Sequence, residues 1–462
     1  MAAITVKQVK NNIMLSVLAQ VISLIASLVI NLALPKFIDD YNYAYWQTYL
    51  LFIGYVGIFH FGILDGIVLR FSHYDYEELS KETMHSLLSA MMLISAIVAA
   101  LGITLSMVLT KGPTRIIFIM VSIGVMTRNL FNYTSYSFQI TNRINRYAIM
   151  TISFRCLNVL LVIAMLLSGI GSYVWLCAAD LFCDLFGVLV SFRVNKDIYI
   201  GKLLGLRDIL NQVCLCISSG IMLTLSNWTS FLLSGASRFI ISLRWGELTF
   251  GKVSFTYSVI NLFLVFITAA SVVLFPALKR MDKDMLPLVY AKVKRPMTMV
   301  LLGIMLGFYP GAYILGLWVP AYTEALRYMG ILLPIVIYST KINLLTNNYL
   351  KAQRREKVLL AINLISVTVS ILGVCLGAYV FGSFALTLVC SLAGFMLNAT
   401  LSDIYVSRLL GLQVIKDLCW EYLMTLCFIA SSILLGGVVG FCAYLIAYIT
   451  YVFLNRRMIT LS

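Results

Sequence analysis

Apolar runs follow one another almost from end to end of this 462-residue chain, and many reach the roughly 20 residues needed to cross the roughly 30 Å hydrocarbon layer of a bilayer as a helix. About fourteen such runs can be counted, centred near residues 23, 54, 97, 127, 157, 182, 222, 263, 306, 338, 368, 395, 426 and 446. The last two share one long run, divided only by "GGVVG" at 436–440. In lipid every backbone polar group must be satisfied within its own segment, so a chain of this pattern folds as a helical bundle. Composition agrees: 61% of residues are hydrophobic and 11% charged, against about half and about a quarter in a soluble chain. The first run is read as a span, not a cleaved leader, because it is long and carries a polar stripe.

Orientation follows the basic residues of the short loops. With a cytoplasmic N-terminus, 24 of the 34 Lys and Arg residues fall inside, 7 outside and 3 within the membrane, so both termini are expected in the cytoplasm. Trp46, Trp175, Trp245 and Trp318 fall at expected outer boundaries, where an interfacial belt would place them. The net charge of +15 therefore reflects sidedness, and no soluble basic face exists for nucleic acid. No Walker pattern or HExxH is present, no metal or cofactor is called for, and the ten cysteines are scattered through apolar runs as packing residues.

Several spans carry polar stripes at helical spacing. In "MTRNLFNYTSYSFQITNR", Arg128, Asn132, Ser135 and Gln139 share one face; the first span repeats the pattern with Ser16, Gln20, Ser23, Ser27 and Asn31. The seventh has Ser219, Ser226, Ser230, Ser234 and Ser237; the eighth Ser254, Ser258, Asn261 and Thr268; the tenth Thr340, Asn343, Asn347, Lys351 and Arg354. Small serines alone permit close helix packing, but Gln20, Asn31, Arg128, Asn132 and Gln139 call for a hydrated interior. The pattern recurs after six spans: the fourth ends in "FQITNRINR" and the tenth in "YLKAQRREK". Two parallel six-helix lobes are therefore expected, at 1–195 and 196–412, with a cavity where they meet and two further helices in 413–462.

Three cations lie well inside the hydrocarbon layer. Arg128 is about 18 Å, and Arg155 and Lys341 about 13 Å, from the inner ends of their helices. Asp180 and Asp184 share a face of the sixth span. Two readings stand side by side. Arg128 or Arg155 could pair with Asp180 or Asp184 and lock the first lobe. Alternatively, three cations against two acids leave a positive surplus that attracts an anionic group, with Lys341 expected to have no acid on neighbouring turns. A carboxylate beside a cation also suits coupling to a proton or sodium ion.

Longer stretches carry a family likeness. "VKQVKNNIMLSVLAQVISLIASLVINLALPKFI", "YWQTYLLFIGYVGIFHFGILDGIVLRF", "SGASRFIISLRWGELTFGKVSFTYSVINLFLVF" and "LLTNNYLKAQRREK" together resemble the polysaccharide-transport branch of the multidrug/oligosaccharidyl-lipid/polysaccharide exporter superfamily, which includes the Wzx-type flippases. The resemblance implies two six-helix lobes around a cationic cavity in a bacterial plasma membrane, with ion-driven alternating access. It implies a cargo of undecaprenyl-pyrophosphate-linked oligosaccharide moved to the outer leaflet for cell-surface polysaccharide synthesis, with a polysaccharide polymerase and chain-length regulator as partners. Arg128, Arg155 and Lys341 are then the candidates for pyrophosphate or acidic-sugar contact. Gln20, Asn31, Asn132, Gln139, Asn261 and Asn343 are candidates for sugar contact, and Asp180 and Asp184 for ion coupling. The first span lacks the acid expected of drug-exporting relatives and the buried charged pair expected of lipid II flippases, which favours the oligosaccharide branch. The competing expectations are a cation-coupled multidrug exporter, whose cavity would be acidic, and an integral-membrane glycosyltransferase or polymerase, which would need a large external loop.

Overall fold

The computed structural model describes residues 6–460 apart from His73 and Asp282, with the side chains of 6–17, 20, 265–277, 279–280, 283 and 456–460 also outside the description. Every element among the described residues is helical. Ten helices are long and apolar enough to span a membrane, and two bent pairs raise the number to twelve. Two further long helices, Val6–Phe37 and Glu247–Arg280, have side chains only partly described, so the fold is compatible with the fourteen expected spans.

The chain divides into two compact units, 1–231 and 232–462. The first contains α1 (Val6–Phe37), α2 (Asp40–Ile53), α3 (Ile63–Phe71), α4 (Lys81–Leu109), α5 (Gly112–Ile140), α6 (Ile144–Leu167), α7 (Tyr173–Phe192), the single turn α8 (Lys196–Tyr199) and the first part of α9 (Leu206–Trp245). α5 packs against α2, α4 and α7, and α6 against α1 and α7. The division falls inside α9, 36 residues beyond the lobe boundary expected at 195/196. Backbone proximity explains where the start of α9 belongs. A Cβ on Gly66 of α3 would lie 2.1 Å from the Cys216 carbonyl oxygen, and one on Gly220 would lie 2.1 Å from that of Gly62. Only glycine lets these two backbones meet.

α4 shows how the sequence sorts its faces. Met84, Leu87, Met91, Ser95 and Ala99 are buried, whereas Leu93, Ile97, Leu101 and Leu105, four residues apart, are more than half exposed. An apolar stripe of that length facing outward is what a lipid environment permits and water penalises.

α2 begins with a cap. Asp39 has extended backbone and its carboxylate accepts from the Asn42 amide at 2.8 Å and from Asn42 Nδ2 at 2.7 Å. Partial burial works against its charge, but these hydrogen bonds prevail and hold its pKa below the usual carboxylate value. Asp39→Ala should cost about 0.5–2 kcal/mol, the usual worth of an N-cap. Because the folded pKa is depressed, the contribution is present above the unfolded value near 3.9 and is lost as pH falls through the folded one. The melting temperatures of the two proteins should therefore differ at pH 7 and differ less as pH falls below the unfolded value.

α2 does not run straight into α3. The segment ending at His60 and α3 meet at 57°. Phe61 and Gly62 both take left-handed backbone, φ 50° and 88°, which ends one helix and restarts another.

The second unit holds the remainder of α9 and then α10 (Glu247–Arg280), α11 (Leu286–Ile304), α12 (Phe308–Trp318), α13 (Thr323–Leu332) and α14 (Ile335–Thr340). A π-helical stretch at Lys341–Thr346 leads into α15 (Asn347–Ala352), followed by α16 (Glu356–Cys375), α17 (Phe384–Leu409), α18 (Ile415–Ala430) and α19 (Gly437–Thr460). The 55° bend between Pro320–Leu332 and the segment from Ile335 falls at Pro334, whose ring removes a backbone donor. Gly436 and Gly437, at φ 62° and 46°, part α18 from α19, where "GGVVG" was expected to divide two spans.

Candidate functional site

The first unit lines an open-mouthed cavity of about 490 Å³. α5 supplies Arg128, Asn132 and Tyr136 to its wall, each one turn beyond the last and so on one face. α6 adds Arg155, α7 adds Asp180, and α3 adds Asp65. The break before α3 contributes Tyr55 and His60, and α9 contributes Thr224, Asn227, Trp228 and Phe231. The wall thus mixes two guanidinium groups, two carboxylates, two amides, an imidazole and several aromatic rings.

Arg128 forks between two acids of α7. Its Nη2 lies 2.7 Å from Asp180 Oδ2 and its Nη1 3.2 Å from Asp184 Oδ1. Asp180 Oδ2 also accepts from the Tyr49 hydroxyl at 2.9 Å, and Asp184 Oδ2 from Thr127 Oγ1 at 3.3 Å. The i, i+4 spacing of the two acids fits the planar fork of one guanidinium. Arg155 is different. Its guanidinium lies over the Phe154 ring at 5.2 Å, and among the described residues it has no carboxylate oxygen within 4.0 Å. Of the two pairings left open by the sequence, the structure takes Arg128 with both acids and leaves Arg155 in the cavity wall without an ion pair. Across the cavity Asp65 accepts a short hydrogen bond from Thr224 of α9.

The other expected contact residues scatter. Gln139 is exposed, one turn from Ser135, to whose Oγ it donates at 3.2 Å. Asn31 is half-buried on α1, and Asn261 and Asn343 are exposed in the second unit; none of these lines the cavity. Gln20 has its side chain outside the described residues.

Lys341 requires a correction. It was expected to be a midplane cation with no acid on neighbouring helical turns, and its partners come from other helices. Its side chain is 1% exposed, and its Nζ lies 2.7 Å from Glu421 Oε2 on α18 and 2.6 Å from Asp403 Oδ2 on α17. Lys294 of α11 shares Asp403 at 2.8 Å, Tyr290 donates to Asp403 Oδ1 at 2.6 Å, and Thr298 donates to Glu421 at 3.4 Å. The cluster is therefore two buried lysines and two buried carboxylates, closed by hydroxyl groups, with the partly exposed Asp417 3.7 Å from Lys294. The acids are carried by other helices, which spacing along one helix does not reveal. The signal was present: Asp403 and Glu421 both sit inside apolar runs, where an ionisable residue is rare and wants a partner.

With these acids counted, the expected positive surplus disappears. Arg128 and Arg155 face Asp65 and Asp180 in the cavity wall, with Asp184 directly behind Arg128. Among the described residues the wall therefore holds two guanidinium groups and two carboxylates, and Arg155 has no carboxylate oxygen within 4.0 Å.

Comparison with known proteins follows the same division between fold and detail. Residues 9–282, more than half of the chain, match the family profile described as polysaccharide biosynthesis protein. No protein of curated function matches the chain in sequence. Among solved structures, the lipid II flippase MurJ in an inward closed conformation superposes with a TM-score of 0.67 at 13% identity, over 96% of this chain and 99% of that one. An inward-facing multidrug resistance MATE family transporter of the MOP superfamily gives 0.64 at 14% identity, over 85% and 98%. A MOP superfamily transporter from Pyrococcus furiosus, described as having a binding pocket of reverse polarity, gives 0.53 at 13%, over 87% and 96%. The fold is therefore that of the multidrug/oligosaccharidyl-lipid/polysaccharide superfamily transporters, as the sequence resemblance implied.

Proposed function

Because the chain belongs to the polysaccharide biosynthesis protein family, we propose that it is a flippase for a lipid-linked oligosaccharide, the undecaprenyl-pyrophosphate-linked repeat unit of a cell-surface polysaccharide. The observation that carries this reading is the cavity of the first unit. Its chemistry matches a head group that is anionic at one end and hydroxylated along the rest. Arg155, without a carboxylate partner, supplies a guanidinium for a pyrophosphate oxygen, which it can meet with two parallel donors. Asn132, Asn227, Tyr55, Tyr136 and Trp228 supply the amide, hydroxyl and ring contacts that sugars need. A volume of about 490 Å³ falls within the range of small-molecule sites and suits a few sugar residues, with the lipid tail left in the bilayer. Arg128 serves a different purpose in this scheme: it holds Asp180 and Asp184, whose loading by a proton or sodium ion would compete with its fork and so couple a gradient to alternating access.

A second reading rests on one specific observation, the carboxylates Asp65 and Asp180 in the cavity wall. They would favour export of a cationic amphiphile. Trp228 makes the two readings separable by fluorescence. Purified protein should show saturable quenching on adding an undecaprenyl-pyrophosphate oligosaccharide, and Trp228→Phe should remove that component. Quenching by a cationic dye but not by the lipid-linked sugar would replace the first reading with the second.

A further inference from the structure

The bend between α2 and α3 is spanned by a side-chain hydrogen bond that a proton would break. The Gly62 amide donates to Nδ1 of His60 at 3.1 Å. The geometry is that of an Asx turn, in which a side-chain acceptor takes the amide two residues on. A ring nitrogen that accepts carries no proton, so the imidazole is neutral with its proton on Nε2. Among the described residues Nε2 makes no hydrogen bond, and His60, 7% exposed, lines the cavity.

We infer that His60 is a proton-operated latch, a positioning residue that holds the α2–α3 bend when neutral and releases it when cationic. The step balances simply. One proton from cavity water binds Nδ1, Nε2 keeps its own, and the acceptor that held Gly62 becomes a second donor facing the same amide. The bond cannot survive that change.

The release has somewhere to go. Gly62 sits in left-handed backbone against α9, where a Cβ on it would lie 2.6 Å from the Ile221 nitrogen. No gap separates the two, so a change of bend must displace α9 or part from it. The new charge also has a counterion nearby. Asp65 stands in the first turn of α3, where the helix dipole favours a negative charge, and its Oδ2 is held by Thr224 of the same α9. The other titratable or charged groups on the cavity are Tyr55, Arg128 and Tyr136 on α5, Arg155 on α6 and Asp180 on α7. α9 presents Thr224, Asn227, Trp228 and Phe231 there, none of which titrates, and α4 presents no lining residue.

The latch rests on the transport reading for its purpose, since it would tie the bend to a proton gradient, but its test needs no cargo. The full chain, labelled with 15N in its three histidines, would be placed in lipid nanodiscs. His60→Asn identifies the His60 resonances by their loss. It also keeps an acceptor at the same reach that cannot be protonated. Wild type should show the Nε2–H tautomer at neutral pH. Amide exchange of the peptide covering 56–66, corrected for intrinsic rate, should then rise about tenfold per pH unit as pH falls toward the His60 midpoint, the slope of a one-proton step, and level off below it. His60→Asn should exchange slowly at every pH and His60→Leu rapidly at every pH. An acid step that persists in His60→Asn, a proton on Nδ1 at neutral pH, or flat exchange while His60 titrates would each overturn the latch. A working latch in a protein that moves no lipid-linked sugar would count against the transport reading alone, and transport with no latch against the latch alone.

Discussion

Glu421→Ala should be the most damaging single change in the second unit. It removes one of two carboxylates from Lys341, which is 1% exposed and has no water to fall back on. Asp403 would then be the one carboxylate left to Lys341 and would be shared with Lys294, which also lies 3.7 Å from Asp417, so Lys341 would lose half of its compensation. Breaking a buried pair in this way costs about 3–5 kcal/mol, a large part of the roughly 5–15 kcal/mol that holds a domain together. The protein should melt at markedly lower temperature in detergent and fall in abundance in the membrane. The double variant Lys341→Met with Glu421→Leu removes both charges and keeps the volume. It should recover most of the loss, because replacing an ion pair by packed apolar groups is often neutral. Equal melting temperatures for the single and double variants would show that the cost lies in packing, not in charge.

The second large effect separates the two arginines of the cavity. Arg155→Gln should leave the fold intact, since it breaks no ion pair, yet lose a charge-assisted contact of about 1.5–3 kcal/mol with an anionic cargo. That corresponds to roughly 10- to 150-fold weaker engagement. Arg128→Gln should instead destabilise the first unit, since it strands Asp184, whose side chain is 0% exposed, beside Asp180. Melting temperature and transport measured together sort the outcomes. Arg155→Gln should move only transport, and Arg128→Gln should move both. A stable Arg128→Gln protein with normal transport would remove the fork from the account.

The sequence reading succeeded where one helix carries the whole pattern. Arg128 and Asn132 share a face by spacing alone, and that face does line the cavity, with Tyr136 continuing it. Asp180 and Asp184 at i and i+4 were readable as acids of one face, either of which Arg128 or Arg155 could pair with. It failed where the deciding partner sits on another helix. Lys341 looked like a free cation because its acids come from α17 and α18, and no local spacing announces a contact across 62 or 80 residues of chain. Gln139 shares the stripe of Arg128 but lies beyond the cavity, because a stripe fixes a direction and not a depth. His60, Asp65, Asn227 and Trp228 were not anticipated at all. They converge because Phe61 and Gly62 turn the chain between two segments read as one span, and because α9 approaches α3 at glycine contact distance.

The central claim, that a lipid-linked sugar crosses the membrane by way of the Arg155 cavity, is tested most directly by following leaflet exchange. Purified protein would be reconstituted into liposomes containing a fluorescent undecaprenyl-pyrophosphate oligosaccharide, with and without a proton or sodium gradient, for wild type and Arg155→Gln. The account predicts gradient-dependent loss of label from one leaflet in wild type, slowed at least about tenfold by the substitution. Equal rates in the two proteins, or no movement in wild type under either gradient, would contradict it.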